Sequence, residues 1–172
     1  MIETLWKWLS HYMEDPGGTQ VRLGGRPVIV FSLPEEKESQ DEEWGDRFRT
    51  ASAGTKPSLN GGQQLVTLLE KTKENAFQTK LTMGRTTNND IVLNHVSVSR
   101  FHAWFQPDGS TDGWAVVDAG SKNGTILSGH KITSKKAHEL QSGSKIRLGK
   151  VELTFYSPAG FVRMLKARVE HR

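Results

Sequence analysis

The sequence predicts an all-β sandwich or barrel over its C-terminal two-thirds, on three observations. Beyond Gln63, short apolar runs are separated by turn signals at Asn88-Asn89-Asp90, Asp108-Gly109, Asp112-Gly113, Asn123-Gly124, Ser128-Gly129 and Ser142-Gly143. Side chains alternate in the best-defined strands, with Ile146 and Leu148 set against Lys145 and Arg147, and Val151, Leu153 and Phe155 repeating the two-residue period. The Gly149-Lys150 pair between those runs has the composition of a hairpin turn.

Taken in order, Ile2, Leu5, Trp6, Leu9 and Tyr12 recur at three- and four-residue spacing, which predicts a short amphipathic helix over 2–13, ending before Pro16-Gly17-Gly18. Its polar face mixes Lys7 with Glu3 and Glu14, so docking on its own domain is expected in place of a membrane surface. Pro27-Val28-Ile29-Val30-Phe31 reads as a strand or buried extended segment, with no partner evident nearby. From Pro34 to Gly62 the chain is poor in aliphatics and rich in charge, Gly, Ser and Pro, too little apolar surface to offset the entropy of ordering. After Ser157-Pro158, the positions Phe161, Met164, Leu165 and Arg168 fall at helical spacing. The expected organisation is an N-terminal helix plus extended segment over 1–33, a flexible acidic and polar linker over 34–62, the β domain over 63–157 and a C-terminal helix over 158–172.

The chain has 172 residues, 35% of them apolar, enough for a core, and no cysteine, so neither a disulfide framework nor a thiolate metal site is open to it. The opening residues lack a signal-peptide pattern and no apolar stretch reaches the length of a membrane span, which predicts a soluble, cytoplasmic protein. Its net charge of +4 is uneven: residues 1–62 carry −3 and residues 63–172 carry +7. The basic part favours anionic partners without choosing among them.

Enzyme signals fail on spacing. Gly143 to Lys150 approaches a phosphate-binding P-loop but has one residue too many between its glycines, and Val151 stands where Ser or Thr is needed. No nucleophile elbow occurs, and Ser99, Asp118 and His130 are in hydrolase order only as chance supplies. The six histidines show neither H-x-x-x-H nor H-E-x-x-H spacing, so no metal and no cofactor are expected. Helix-turn-helix, zinc-finger and basic-zipper signals are missing, so nucleic acid is not the expected partner.

Three polar clusters remain that suit a phosphate: Gly84-Arg85 at a strand end, Ser99-Arg100 after a second strand, and Ser121-Lys122-Asn123-Gly124 in a third loop. In a sandwich such loops converge at one end. The runs MGRTTNNDIVL, VSVSRFHAWF, WAVVDAGSKNGTIL and LQSGSKIRLGKVELTF resemble, in order and spacing, the forkhead-associated (FHA) domain of bacterial type over residues 63–157. The carrying positions are Gly84-Arg85, the S-x-x-H of Ser99 to His102 and the S-x-N-G of Ser121 to Gly124.

The resemblance implies a sandwich of two twisted antiparallel sheets that recognises phosphothreonine through loops at one end, without catalysis. It implies that Arg85 grips the phosphate, a role suited to a planar guanidinium fork, and that Ser99 donates its hydroxyl to a phosphate oxygen. Arg100 and Lys122 would supply positive potential, and Asn123 would hold the peptide main chain through its amide. His102 would brace the loop carrying Ser99, while Gly84 and Gly124 would serve the backbone. Asn88-Asn89-Asp90 and Asp118 are expected to fix loop shape. Ser128-Gly129 departs from the Asn-Gly frequent in the family.

The expected partners are a phosphothreonine-containing protein and an upstream Ser/Thr protein kinase, in signal transduction. The alternative is a phosphate-independent interaction scaffold on the same fold. Arg47-Phe48-Arg49-Thr50 and the following Thr55 further suggest self-recognition through phosphorylation of either threonine.

Overall fold

A computed structural model describes residues 1–34, 63–72 and 77–171. Residues 35–62, most of the segment read as a linker and both Thr50 and Thr55, lie outside the described residues. Among the described residues, twelve strands and three helices follow in order: β1 (Ile2–Thr4), α1 (Leu5–Glu14), α2 (Pro16–Leu23), β2 (Val28–Ser32), β3 (Leu65–Leu68), β4 (Leu81–Gly84), β5 (Ile91–Val92), β6 (Ala103–Pro107), β7 (Trp114–Asp118), β8 (Thr125–Leu127), β9 (His130–Lys131), β10 (Ala137–Leu140), β11 (Lys145–Leu148), β12 (Val151–Tyr156) and α3 (Pro158–Glu170). They form a seven-stranded sheet, ordered β1-β3-β2-β12-β11-β8-β9, and a five-stranded sheet, ordered β10-β7-β6-β4-β5. All pairings are antiparallel except β4 with β5.

The sheets enclose one apolar cluster, to which the larger contributes Ile29, Phe31, Leu65, Ile146, Leu148, Leu153 and Phe155, and the smaller Leu81, Met83, Ala103, Phe105, Val116 and Leu140. The alternation read in β11 and β12 is this inward face. A second cluster lies on the other side of the seven-stranded sheet, where Leu5, Trp8 and Leu9 of α1, Leu23 of α2 and Phe161 and Leu165 of α3 meet Val28, Val30 and Val66.

The run Pro27–Phe31 thereby gains a physical explanation. β2 pairs with β12 on one side and β3 on the other. Ile29 and Phe31 enter the first cluster while Val28 and Val30 enter the second. A strand covered on both faces has no polar period to display, and its neighbours are distant in sequence. The sandwich therefore takes in residues on the N-terminal side of the segment read as a linker.

The N-terminal helix differs from the reading of 2–13. Ile2 to Thr4 pair with Thr67 to Leu65 as a strand, and the Thr4 side chain then caps α1 by accepting the Lys7 amide at 3.2 Å. The buried positions are Leu5, Trp8 and Leu9, whereas Trp6, placed on the apolar face by the spacing, is 54% exposed. Pro16-Gly17-Gly18 starts a second helix in place of ending the chain's helical part. Asp15 caps it by accepting the Gly18 amide at 2.8 Å, and Pro16 stands at the first helical position, where its missing N–H is not needed. Gly24, at φ +55°, closes it.

At the C-terminus, Ser157 caps α3 by accepting the Gly160 amide at 3.1 Å. Phe161 and Leu165 are fully buried, and the Phe161 ring meets Trp8 edge-on at 5.4 Å.

Candidate binding site

The site is built where three loops leave the sheets at one end of the sandwich. Gly84 ends β4 with its backbone against Arg100: a Cβ there would lie 2.3 Å from the Arg100 carbonyl oxygen, so this position admits no side chain. Arg85 follows, donating its amide to the Ser99 carbonyl at 3.0 Å and its Nε–H to the Val98 carbonyl at 3.2 Å. The guanidinium is thus held by its inner nitrogen, while its terminal nitrogens have no hydrogen bond or ion pair among the described residues.

Buried polar side chains fix the loop after Arg85. Asn89 donates to the Thr86 and Arg100 carbonyls at 2.9 and 2.8 Å. Asp90 accepts from the Thr82 and Thr72 amides and pairs with Lys71. Burial opposes ionisation of Asp90, but Lys71 and these hydrogen bonds outweigh it and hold the carboxyl far below the ordinary carboxylate range.

Ser99 is half-buried, and its Oγ accepts the Lys122 amide at 3.0 Å. That bond uses a lone pair, leaving the hydroxyl proton for an outside acceptor. His102, fully buried, holds this loop from behind. The Ser99 amide donates to Nδ1 at 3.0 Å, so Nδ1 carries no proton and Nε2–H donates to the Gly124 carbonyl at 3.2 Å. One neutral ring ties together two of the three loops. Burial lowers the His102 pKa, against the smaller raising effects of the Gly124 bond and the Asp118 charge.

Asp118, at the end of β7, shapes the third loop. Its carboxylate accepts the Gly120 and Ser121 amides at 2.8 and 3.1 Å and the Ser121 and Thr125 hydroxyls at 2.6 and 2.7 Å. Burial works against the charge, yet the donors prevail and lower the pKa to about 2. Gly124, at φ +77°, takes the left-handed turn.

The structure brings Arg85, Ser99, Arg100, Lys122 and Asn123 around a single cleft. Arg100 and Lys122 are exposed, and neither forms an ion pair among the described residues. Asn123 donates its amide to the Ser97 carbonyl at 2.8 Å, which leaves its side-chain carbonyl as the group open to a ligand amide. Gly84, His102 and Gly124 lie behind this rim. At Ser128-Gly129 the hairpin forms with φ of +49° and +88°, the positive pair a tight two-residue turn needs, although serine has a Cβ to accommodate there.

Among the other residues lining the cleft, Ser97 and Phe101 gave no sequence signal. Ser97 lines it, donates its hydroxyl to His95 Nδ1 and accepts the Lys150 amide, each at 2.8 Å. The backbone crosses so closely here that a Cβ at Gly149 would lie 2.3 Å from the Ser97 carbonyl oxygen. Phe101 also borders the cleft. Serine two residues before Ser99 and a phenylalanine inside S-x-x-H are ordinary residues until packing places them.

The arrangement offers a rim of three cations without carboxylate partners among the described residues, a hydroxyl donor and an amide carbonyl, on loops held from behind by buried polar groups. It suits a bound anion attached to an extended peptide. The FHA domain profile matches residues 81–149. The oxoglutarate dehydrogenase inhibitor of Corynebacterium glutamicum is 35% identical over 115 residues, covering 61% of this chain and 77% of that protein. The glycogen accumulation regulator GarA of Mycolicibacterium smegmatis is 34% identical over 115 residues, covering 61% of this chain and 70% of that protein. Among solved structures, Mycobacterium tuberculosis EmbR in complex with a low affinity phosphopeptide is 34% identical, with a TM-score of 0.42, covering 46% of this chain and 20% of that one. The chain belongs to the FHA-domain family.

Proposed function

We propose that the chain is a non-catalytic module that binds phosphothreonine on protein partners through the cleft bounded by Arg85, Ser99, Arg100, Lys122 and Asn123. The observation that carries this is the set of cations with no ion pair among the described residues, beside a hydroxyl whose proton is uncommitted. Arg85 offers terminal N–H groups to the phosphate, Ser99 adds a neutral donor, and Arg100 and Lys122 contribute positive potential. Asn123 receives a ligand main-chain amide. Relatives named as a dehydrogenase inhibitor and as a regulator of glycogen accumulation support a regulatory role.

In this reading a Ser/Thr kinase writes the mark and the loops read it. Threonine is preferred to serine, as the family resemblance implies. Titration with phosphothreonine, phosphoserine and unphosphorylated peptides tests this. Arg85→Ala is expected to weaken phosphothreonine binding about a hundredfold, the value of two charge-assisted hydrogen bonds. Binding that ignores phosphorylation and Arg85 would move the reading to a phosphate-independent scaffold.

Self-recognition is the finer proposal: Thr50 or Thr55, once phosphorylated, competes for the same cleft. Phosphorylation at either site should weaken binding of an added phosphothreonine peptide, and unchanged affinity would refute it.

A further inference from the structure

Next to the cations, the cleft has an aromatic side that the phosphate reading does not use. Phe101 stacks on Trp104 with centroids 5.9 Å apart and planes at 16°, and on Phe77 at 5.2 Å and 19°. Lys80 Nζ lies 4.3 Å from the Trp104 centroid and 5.7 Å from that of Phe77. None of the three rings belongs to either core cluster. Phe101 and Trp104 are half-buried and Phe77 is 39% exposed. Trp104 Nε1–H donates to Gln106 Oε1 at 2.8 Å, which fixes the indole plane.

We propose that this ladder is a second specificity surface for the same ligand, selecting phosphothreonine segments that carry an aromatic side chain close to the phosphothreonine. The inference rests on the phosphothreonine reading above. Its occupant follows from continuity. Ser99, Arg100 and Phe101 are consecutive, and Phe101 borders the cleft with both. A peptide that delivers a phosphate to Ser99 advances at most about 3.6 Å per residue, so a near flanking residue reaches the ring. Aromatic rings favour offset stacking on one another over alternatives of equal area. The Lys80 ammonium beside the stack lets the same flank add a carboxylate.

The test uses the full chain and one phosphothreonine peptide in which each flanking position is changed in turn from alanine to phenylalanine or tyrosine, with unphosphorylated controls. At one position the aromatic peptide is expected to bind about three- to tenfold tighter than its alanine counterpart. Phe101→Ala should erase that preference, so that the aromatic and alanine peptides bind this variant equally. Trp104→Ala, outside the phosphate loops, should reduce the preference in the same direction, and it decides the matter if Phe101→Ala does not fold.

An aromatic gain that survives both substitutions, or no gain at any position, overturns the proposal while phosphate-dependent binding still stands. Equal weakening of the alanine and aromatic peptides by Phe101→Ala makes the ring a structural support and also overturns it. Binding that ignores phosphorylation removes both readings together.

Discussion

The helical flank of the seven-stranded sheet and the loop end of the sandwich use charge in opposite ways. On the helical flank, charged groups are paired: Glu3 meets Lys7 and Arg22, and Arg26 meets Glu70. Arg22 also lies over the Trp8 ring at 4.3 Å. At the loop end, the carboxylates Asp90 and Asp118 are turned inward to hold backbone and hydroxyls, and Arg85, Arg100 and Lys122 have no carboxylate among the described residues. Acidic groups in the site region stabilise loop shape without neutralising the rim. The flank pairs its charges and, in the proposed reading, the loop end keeps its cations for an anion, so substitutions should separate stability from binding.

The largest expected stability effect is on the flank. Phe161→Ala empties a fully buried site beside Trp8 and should cost about 3–5 kcal/mol in chemical denaturation. Phosphopeptide affinity of the folded fraction should be unchanged, and a large loss would show that the two regions are coupled.

At the loop end, Asp118→Ala strips acceptors from two amides and two hydroxyls and should cost about 2–4 kcal/mol. Here affinity should fall too, because the loop carrying Lys122 and Asn123 loses its anchor. Unaltered affinity would mean that the loop is held by other contacts.

Acid should act mainly on the loop end. For Asp118, with the carboxyl lowered from its ordinary 3.8 to about 2, stability present above pH ~4 is lost as pH falls toward 2. For His102, burial lowers the pKa from 6.5, so the unfolded chain takes up a proton first and stability begins to fall below about pH 6.5. Protonation at Nδ1 would also set a donor against the Ser99 amide. Denaturation midpoints across this range should show a shallow upper decline that His102→Asn removes and a steeper lower one. An unchanged upper decline in that variant would contradict the assignment.

The smallest expected effect is a gain. Ser128→Asn places a residue tolerant of positive φ where φ is +49° and should raise stability by roughly 0.5–1 kcal/mol without altering affinity. A change in binding would place this turn in the ligand contact surface.

Much of the site was legible because its residues occur in short blocks. Gly84-Arg85, Ser99-x-x-His102 and Ser121-x-Asn123-Gly124 each lie within one loop, and local order is visible in a sequence. The partners that give those residues their state were not. The proton position on His102 depends on Gly124, and the orientation of Asn123 on Ser97. The aromatic ladder joins Phe77 to Phe101 and Trp104 across separate segments, which no local pattern announces.

By itself the sequence determined the all-β class, the β11–β12 hairpin, the C-terminal helix and the loops that carry the phosphate-type residues, because alternation, turn composition and helical spacing are local properties. Only the tertiary structure decided that β2 lies between β3 and β12, that Pro16 opens a second helix, and that the cations of three loops share one rim. Those outcomes depend on which distant surfaces bury one another, and pairing across the fold leaves no period in the chain to read.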